Sequence, residues 1–104
     1  MTGPPSLTPE QRRAALAKAA AARKARAEVR ERLGRGELTI AALLDDAAAD
    51  KTLAGMKVKS VLTALPGLGK VKSYRLMEDL GIAENRRLRG LGARQREALL
   101  AALS

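Results

Sequence analysis

The 104 residues contain no cysteine, histidine, tryptophan or phenylalanine, and Tyr74 is the single aromatic side chain. Without thiolates or imidazoles there are no Cys/His zinc sites, no disulfides and no Ser-His-Asp triad, and the commonest general base is missing. No cofactor or metal is implied, and no small-molecule substrate. A missing cysteine agrees with a reducing cytosol. Nowhere do eighteen consecutive apolar residues occur, which argues against a membrane span. The opening MTGPPSLT has neither a basic n-region nor an apolar h-region, so the expected location is cytoplasmic. A chain of this size hides only about 60% of its unfolded surface, which leaves little room for a deep catalytic cavity.

What is abundant is positive charge. Twenty Lys and Arg stand against eleven Asp and Glu, a net charge of +9 and a sequence pI near 10.9. The charge is segmented: +6 from Thr8 to Arg35, −4 from Gly36 to Asp50, and +7 from Lys51 to Ser104. Two positive regions around one acidic segment point to surfaces that face a polyanion rather than to uniform solubilising charge.

The helical pattern is equally segmented. Thr8-Pro9-Glu10-Gln11 supplies an N-cap, a proline at the first helical position and a glutamine three residues after the cap that can reach back. The helix it opens is alanine-rich and runs to Leu33, where Gly34 and Gly36 end it; Leu16, Ala20, Ala27 and Leu33 form a thin apolar seam, so its first half is expected to project beyond the core. Thr39 caps a second helix with Ile40, Leu43 and Leu44 on one face, ending in the acidic run that closes at Asp50. A third follows Met56, burying Val58, Val61, Leu62 and Leu65, and stops at Pro66. A fourth starts near Lys70 and is expected to bury Val71, Tyr74 or the Arg75 stem, Leu76, Met77 and Leu80, with Gly81 past its end. Ile82 to Arg89 read as a connector, and a last helix from Ala93 carries Leu99, Leu100 and Leu103. No period-two pattern calls for a sheet. The fold class is therefore all-α: a tail over 1–7, a long basic helix over 8–35, and a compact bundle of about four helices over 36–104.

The stretch 65-LPGLGKVKS-73 is too costly for a helix interior, at about 1 kcal/mol per glycine and about 3 for proline. It has the makings of a phosphate site: glycines take positive φ and expose the backbone, Leu68 plugs the core, and the first amides of the next helix, at the positive end of its dipole, point outward beside Lys70. A second Gly-Leu-Gly at 90–92 repeats the first at a spacing of 23 residues. It has Arg89 for the proline and Ala93 for the lysine, so a plain turn is an equal reading there. Arg86, Arg87, Arg89 and Arg94 nevertheless crowd it.

These residues resemble the actinobacterial integration host factor family of small nucleoid-associated DNA-binding proteins. The likeness covers the chain from about Thr8 to Leu103 and rests on the basic helix, on 56-MKVKSVLTALPGLGKVKSYRLMEDLGI-82 and on 85-NRRLRGLGARQREALLAAL-103. It implies an all-helical fold with a helix-two-turns-helix module, related to one in a helical ribosomal protein of the small subunit and in formamidopyrimidine-type DNA glycosylases. It also implies backbone binding of duplex DNA with little base preference, action on DNA topology and compaction, and assistance to phage integration on integrase-DNA complexes. The glycosylases share only 67-GLGKVK-72, with asparagine in place of Lys70, and use an N-terminal proline nucleophile where this chain has Thr2 after Met1. An enzyme is therefore not expected. Binding of ribosomal RNA is the rival that shares Gly67, Gly69 and a basic residue 70, with Pro66 against it. A pure protein adaptor would leave the arginine clusters without a use.

The expected DNA-binding residues are thus Pro66, Gly67, Leu68 and Gly69 at one phosphate, strengthened by Lys70, Lys72 and Ser73. Lys57 and Lys59 flank the same strand. Arg86, Arg87, Arg89 and Arg94 reach the neighbouring strand or the minor groove, which arginine suits better than lysine. Arg12, Arg13, Lys18, Arg23, Lys24, Arg26 and Arg30 form a second DNA-facing surface on the first helix. No heptad repeat suggests a dimer, so a monomer is expected.

Overall fold

The computed structural model describes residues 6–103, and the first five residues of the expected tail lie outside them. Six α-helices and one 3₁₀ turn follow in order: α1 Pro9–Gly34, α2 Ile40–Ala47, α3 Lys51–Ala54, α4 Val58–Ala64, α5 Lys70–Asp79, the 3₁₀ turn Leu88–Gly90, and α6 Ala93–Leu103. Among the described residues there is no strand, only an isolated antiparallel bridge between Lys57 and Arg87. No helix among them is long and apolar enough to cross a membrane.

The capping box at α1 forms as its sequence suggests: Gln11 N–H donates to Thr8 Oγ1 at 3.1 Å and Thr8 N–H to Gln11 Oε1 at 3.0 Å. At the other end Gly36 takes φ +71°, and Glu37 N–H reaches back to the Arg32 carbonyl, a left-handed cap that turns the chain sharply towards α2. Only the last part of α1 is packed, with Val29 and Leu33 buried. Every residue from Ser6 to Ala21 is exposed, so the first half of the helix does project. The seam is shorter than expected, because Leu16 is 63% exposed and Ala20 is exposed too, with none of the described residues covering that half. Alanine propensity and the capping box hold those turns in place of packing.

Val29, Leu33, Leu43, Leu44, Val58, Val61, Leu62, Met77, Leu88 and Leu99 make one core, to which every helix except α3 contributes a buried side chain. The acidic run does not prolong α2. That helix stops at Ala47, and Asp50 caps a separate turn, α3, by accepting from Thr52 N–H at 2.9 Å and Leu53 N–H at 3.3 Å. An aspartate at the end of an acidic run is also a good N-cap, and here the cap role wins. The Ile82–Arg89 connector likewise contains local structure. Val58 N–H donates to the Arg86 carbonyl and Leu88 N–H to the Met56 carbonyl, both at 2.9 Å, which ties the segment before α4 to the segment before α6.

Candidate nucleic-acid interface

At the end of α4 the chain reverses direction in four residues. Leu65 takes extended geometry (φ −68°, ψ 140°), as the residue before a proline prefers, and Gly67 sits at φ +78°. Leu68 N–H closes the turn on the Leu65 carbonyl at 3.3 Å. Proline at the second position and a left-handed glycine at the third define a type II β-turn. Gly69 then serves as N-cap of α5 in extended geometry (φ −80°, ψ 179°), and no side chain caps that helix end. A Cβ built at either Gly67 or Gly69 would meet no atom within 4 Å, so the surface outside the turn is open.

The outcome for each residue in this stretch follows from that geometry. The first-turn amides of Lys70, Val71 and Lys72 stand uncapped at the positive end of a ten-residue helix, beside the exposed side chains of Lys70 and Lys72. Leu68 differs from expectation: its N–H is spent within the β-turn and its side chain packs half-buried on the core, so it shapes the turn and offers no amide. Gly69 differs too, being extended, so it is needed for openness rather than for left-handed backbone. Ser73 is wholly buried, and its hydroxyl donates to the Gly69 carbonyl at 2.8 Å, alongside its own N–H at 2.9 Å. It cannot touch a phosphate; it braces the first turn of α5 from inside. Val71, expected in the core, is 70% exposed next to the open amides. The helix enters the core two residues later than its apolar pattern suggests, through Ser73 and Met77.

The second Gly-Leu-Gly repeats the sequence without repeating the conformation. Gly90 belongs to the 3₁₀ turn, neither Gly90 nor Gly92 has positive φ, and Gly92 N–H is taken by Gln95 Oε1 at 3.1 Å. Around it Arg86 donates to the Gly90 carbonyl at 2.7 Å and Arg87 to the Gly55 carbonyl, both half-buried, while Arg89 and Arg94 are exposed.

Two groupings could not be read from spacing. Lys57 and Lys59 lie at the start of α4, roughly 10 Å of helix away from the Gly67 turn at its end. The Lys57–Arg87 bridge pairs Lys57 with the arginine cluster instead. The first helix also divides. Arg12, Arg13, Lys18, Arg23 and Lys24 are exposed along its length, whereas Arg26 is half-buried and donates through Nε to the Thr52 carbonyl at 3.1 Å. Sequence reasoning passed over Gly55, which is buried where a Cβ would lie 2.8 Å from Arg26 Nη2 and 3.6 Å from Arg89 Nη1. Its one signal is a lone glycine between two short helical segments. The Arg96–Asp45 ion pair at 2.7 Å, joining α6 to α2, was also passed over; it is an exposed pair of the kind that contributes little.

The arrangement matches known proteins closely. The model of the S13-like H2TH domain family matches residues 33–103. The integration host factors of Mycobacterium tuberculosis (strain ATCC 25618 / H37Rv) and Mycolicibacterium smegmatis (strain ATCC 700084 / mc(2)155) are each 58% identical to this chain over 96 residues, 92% of it and 91% of the relative. That of Streptomyces coelicolor (strain ATCC BAA-471 / A3(2) / M145) is 50% identical over 91 residues, 88% of this chain and 85% of the relative. Among solved structures, that of sIHF bound to an 8bp palindromic DNA superposes with a TM-score of 0.81 at 41% identity, covering 84% of this chain and 98% of that one.

Proposed function

The chain belongs to the S13-like H2TH domain family and, within it, to the integration host factors, and from that premise we propose that it is a nucleoid-associated protein that binds duplex DNA. Its hold is on the phosphate backbone, with little regard to base sequence. The observation that carries this reading is the uncapped N-terminus of α5, opened by the Pro66-Gly67 turn and flanked by Lys70 and Lys72. Amides at a helix start, the helix dipole and two ammonium groups converge there on a site for one phosphate. Arg86, Arg87, Arg89 and Arg94 supply further cationic groups for the neighbouring strand or a narrow minor groove, and Lys59 for the strand itself. Base edges are read chiefly by polar groups entering the major groove, and this site offers mostly backbone-directed cations and amides.

The projecting half of α1 supports a second part of the proposal. Its exposed Arg12, Arg13, Lys18, Arg23 and Lys24 form a separate cationic surface, so one monomer can bridge two duplexes. Bridging compacts DNA and changes its topology, and holding two segments together is what assembly of a phage integrase-DNA complex requires. The protein acts by binding in the nucleoid, not by catalysis.

A gel-shift series comparing duplex DNA, single strands and structured RNA at two salt concentrations tests the reading. Preference for duplex DNA is expected. Tighter binding of structured RNA would transfer the protein to the ribosomal side of its family, where the same turn would hold an RNA phosphate.

A further inference from the structure

Between the packed half of α1 and the start of α4 lies a cleft of about 190 Å³ lined by Arg26, Arg30, Gly55, Lys57, Ser60 and Arg87, over Met56. Four of these side chains are cationic and no lining residue is acidic. None of the ion pairs among the described residues involves any of the four. The cations arrive as two like-charged pairs. Arg26 and Arg30 stand four residues apart on one face of α1, a spacing that costs rather than gains stability for like charges. Lys57 and Arg87 face each other across the antiparallel bridge. The hydrogen bonds run from Val58 to Arg86 and from Leu88 to Met56, which makes 57 and 87 the non-hydrogen-bonded pair, whose side chains lie closest together on one side. Like charges directly opposite in such a pair are also destabilising.

Two of the guanidinium groups are held in place. Arg26 donates to the Thr52 carbonyl and Arg87 to the Gly55 carbonyl. Gly55 leaves room for the first of these, since a Cβ there would stand 2.8 Å from Arg26 Nη2. Four mutually repelling cations, two of them fixed and all but the exposed Arg30 partly buried, with a serine hydroxyl among them form a receptor for a tetrahedral oxyanion. Arginine forks match its oxygens, and its charge relieves both repulsions.

We propose that this cleft is a second phosphodiester site, which engages the same duplex that the Gly67 turn holds. This rests on the reading of that turn as a DNA-backbone site. The two sites stand at opposite ends of α4, roughly 10 Å apart along its axis, comparable to about three nucleotides at 3.4 Å of duplex axis per residue of one strand. The inference redraws the interface. Arg26 and Arg30, expected from the sequence on the second surface, join the primary one, and the packed end of α1 becomes part of the DNA-binding module.

The test measures affinity of the full chain for a mixed-sequence 20-base-pair duplex across a salt series. The variants are Arg30→Gln combined with Lys57→Gln, the control Arg32→Gln on an exposed part of α1 outside the cleft, and Gly69→Asp at the α5 N-terminus. The cleft double variant is expected to bind about tenfold or more weakly at 100 mM salt, with a salt slope shallower by about one phosphate, while Arg32→Gln loses no more than twofold. Its thermal midpoint is expected to rise in the absence of DNA, because both like-charge pairs have been relieved. Equal losses in the double variant and in Arg32→Gln, scaled per charge, would reduce the cleft to its share of the general field and overturn the proposal. Wild-type affinity and slope in the double variant, with Gly69→Asp impaired, would overturn the cleft and leave the turn standing; wild-type binding in both would remove the turn as well. Inorganic phosphate is titrated in parallel, followed at the amide resonances of Met56 and Ser60. Shifts there, with DNA binding unchanged in the double variant, would mean that the cleft takes free phosphate and not the duplex, which also overturns it.

Discussion

At the scale of single residues, the two glycines of the turn serve different ends and separate in experiment. Gly67 is held at φ +78°, where a side chain costs about 1–2 kcal/mol, so Gly67→Val should lower the thermal midpoint as well as DNA affinity. Gly69 is extended with free space around its Cβ position, so substitution there leaves the fold intact and reports on the ligand alone. Gly69→Asp is the sharper change. Its carboxylate caps α5 and improves stability by a few tenths of a kcal/mol, while occupying the amides proposed to hold a phosphate with a charge of the wrong sign. A midpoint unchanged or raised, with affinity down at least tenfold, is the expected pair of results in thermal melts and gel shifts. The glycines, the proline and the lysine were all legible in sequence, because each leaves a chemical trace in the chain. The division of labour between them was not. It depends on φ at each position, and Ser73 looked like a ligand only because burial by neighbouring elements is invisible along one strand of text.

At the scale of elements, most helices announced themselves through caps and three-four spacing, while the short ones did not. A four-residue helix such as α3 carries too few apolar positions to set a period, and its single signal, Asp50, was absorbed into the acidic run. Asp50→Ala removes the acceptor of two otherwise orphaned amides and should cost about 1 kcal/mol, roughly 4–8 °C in the midpoint of a domain this small. Calorimetry of that variant checks it. The division of α1 gives a second prediction. Since residues up to Ala21 touch no core, removing residues 1–20 should leave the domain folded and single-duplex affinity reduced only modestly, yet abolish compaction of long DNA in single-molecule extension measurements. Loss of both activities together would reject bridging. The extent of the projection was expected from the alanine-rich composition, but where it ends was not, because that point is set by the partners of Val29 and Leu33.

At the scale of the whole molecule, the acidic segment read from the sequence adjoins the last basic one, since Asp45 pairs with Arg96 and Asp50 lines the same pocket as Arg89. The acidic stretch contributes α2 and the α3 cap, which lie on elements other than the Gly67 turn and the arginine cluster. If about five phosphates are engaged, log affinity should fall against log salt with a slope near −4.5, a loss of several hundredfold between 50 and 200 mM. What sequence could not supply is which cations act together. Lys57 and Arg87 are thirty residues apart and meet only through the bridge between the α4 and α6 approaches. The central claim is that uncapped amides at the start of α5 hold a DNA phosphate, and the most direct measurement is amide chemical-shift change during a DNA titration. The account predicts the largest saturable shifts at Gly69, Lys70, Val71 and Lys72. Silent resonances there, with the changes confined to other elements while DNA is fully bound, would contradict it.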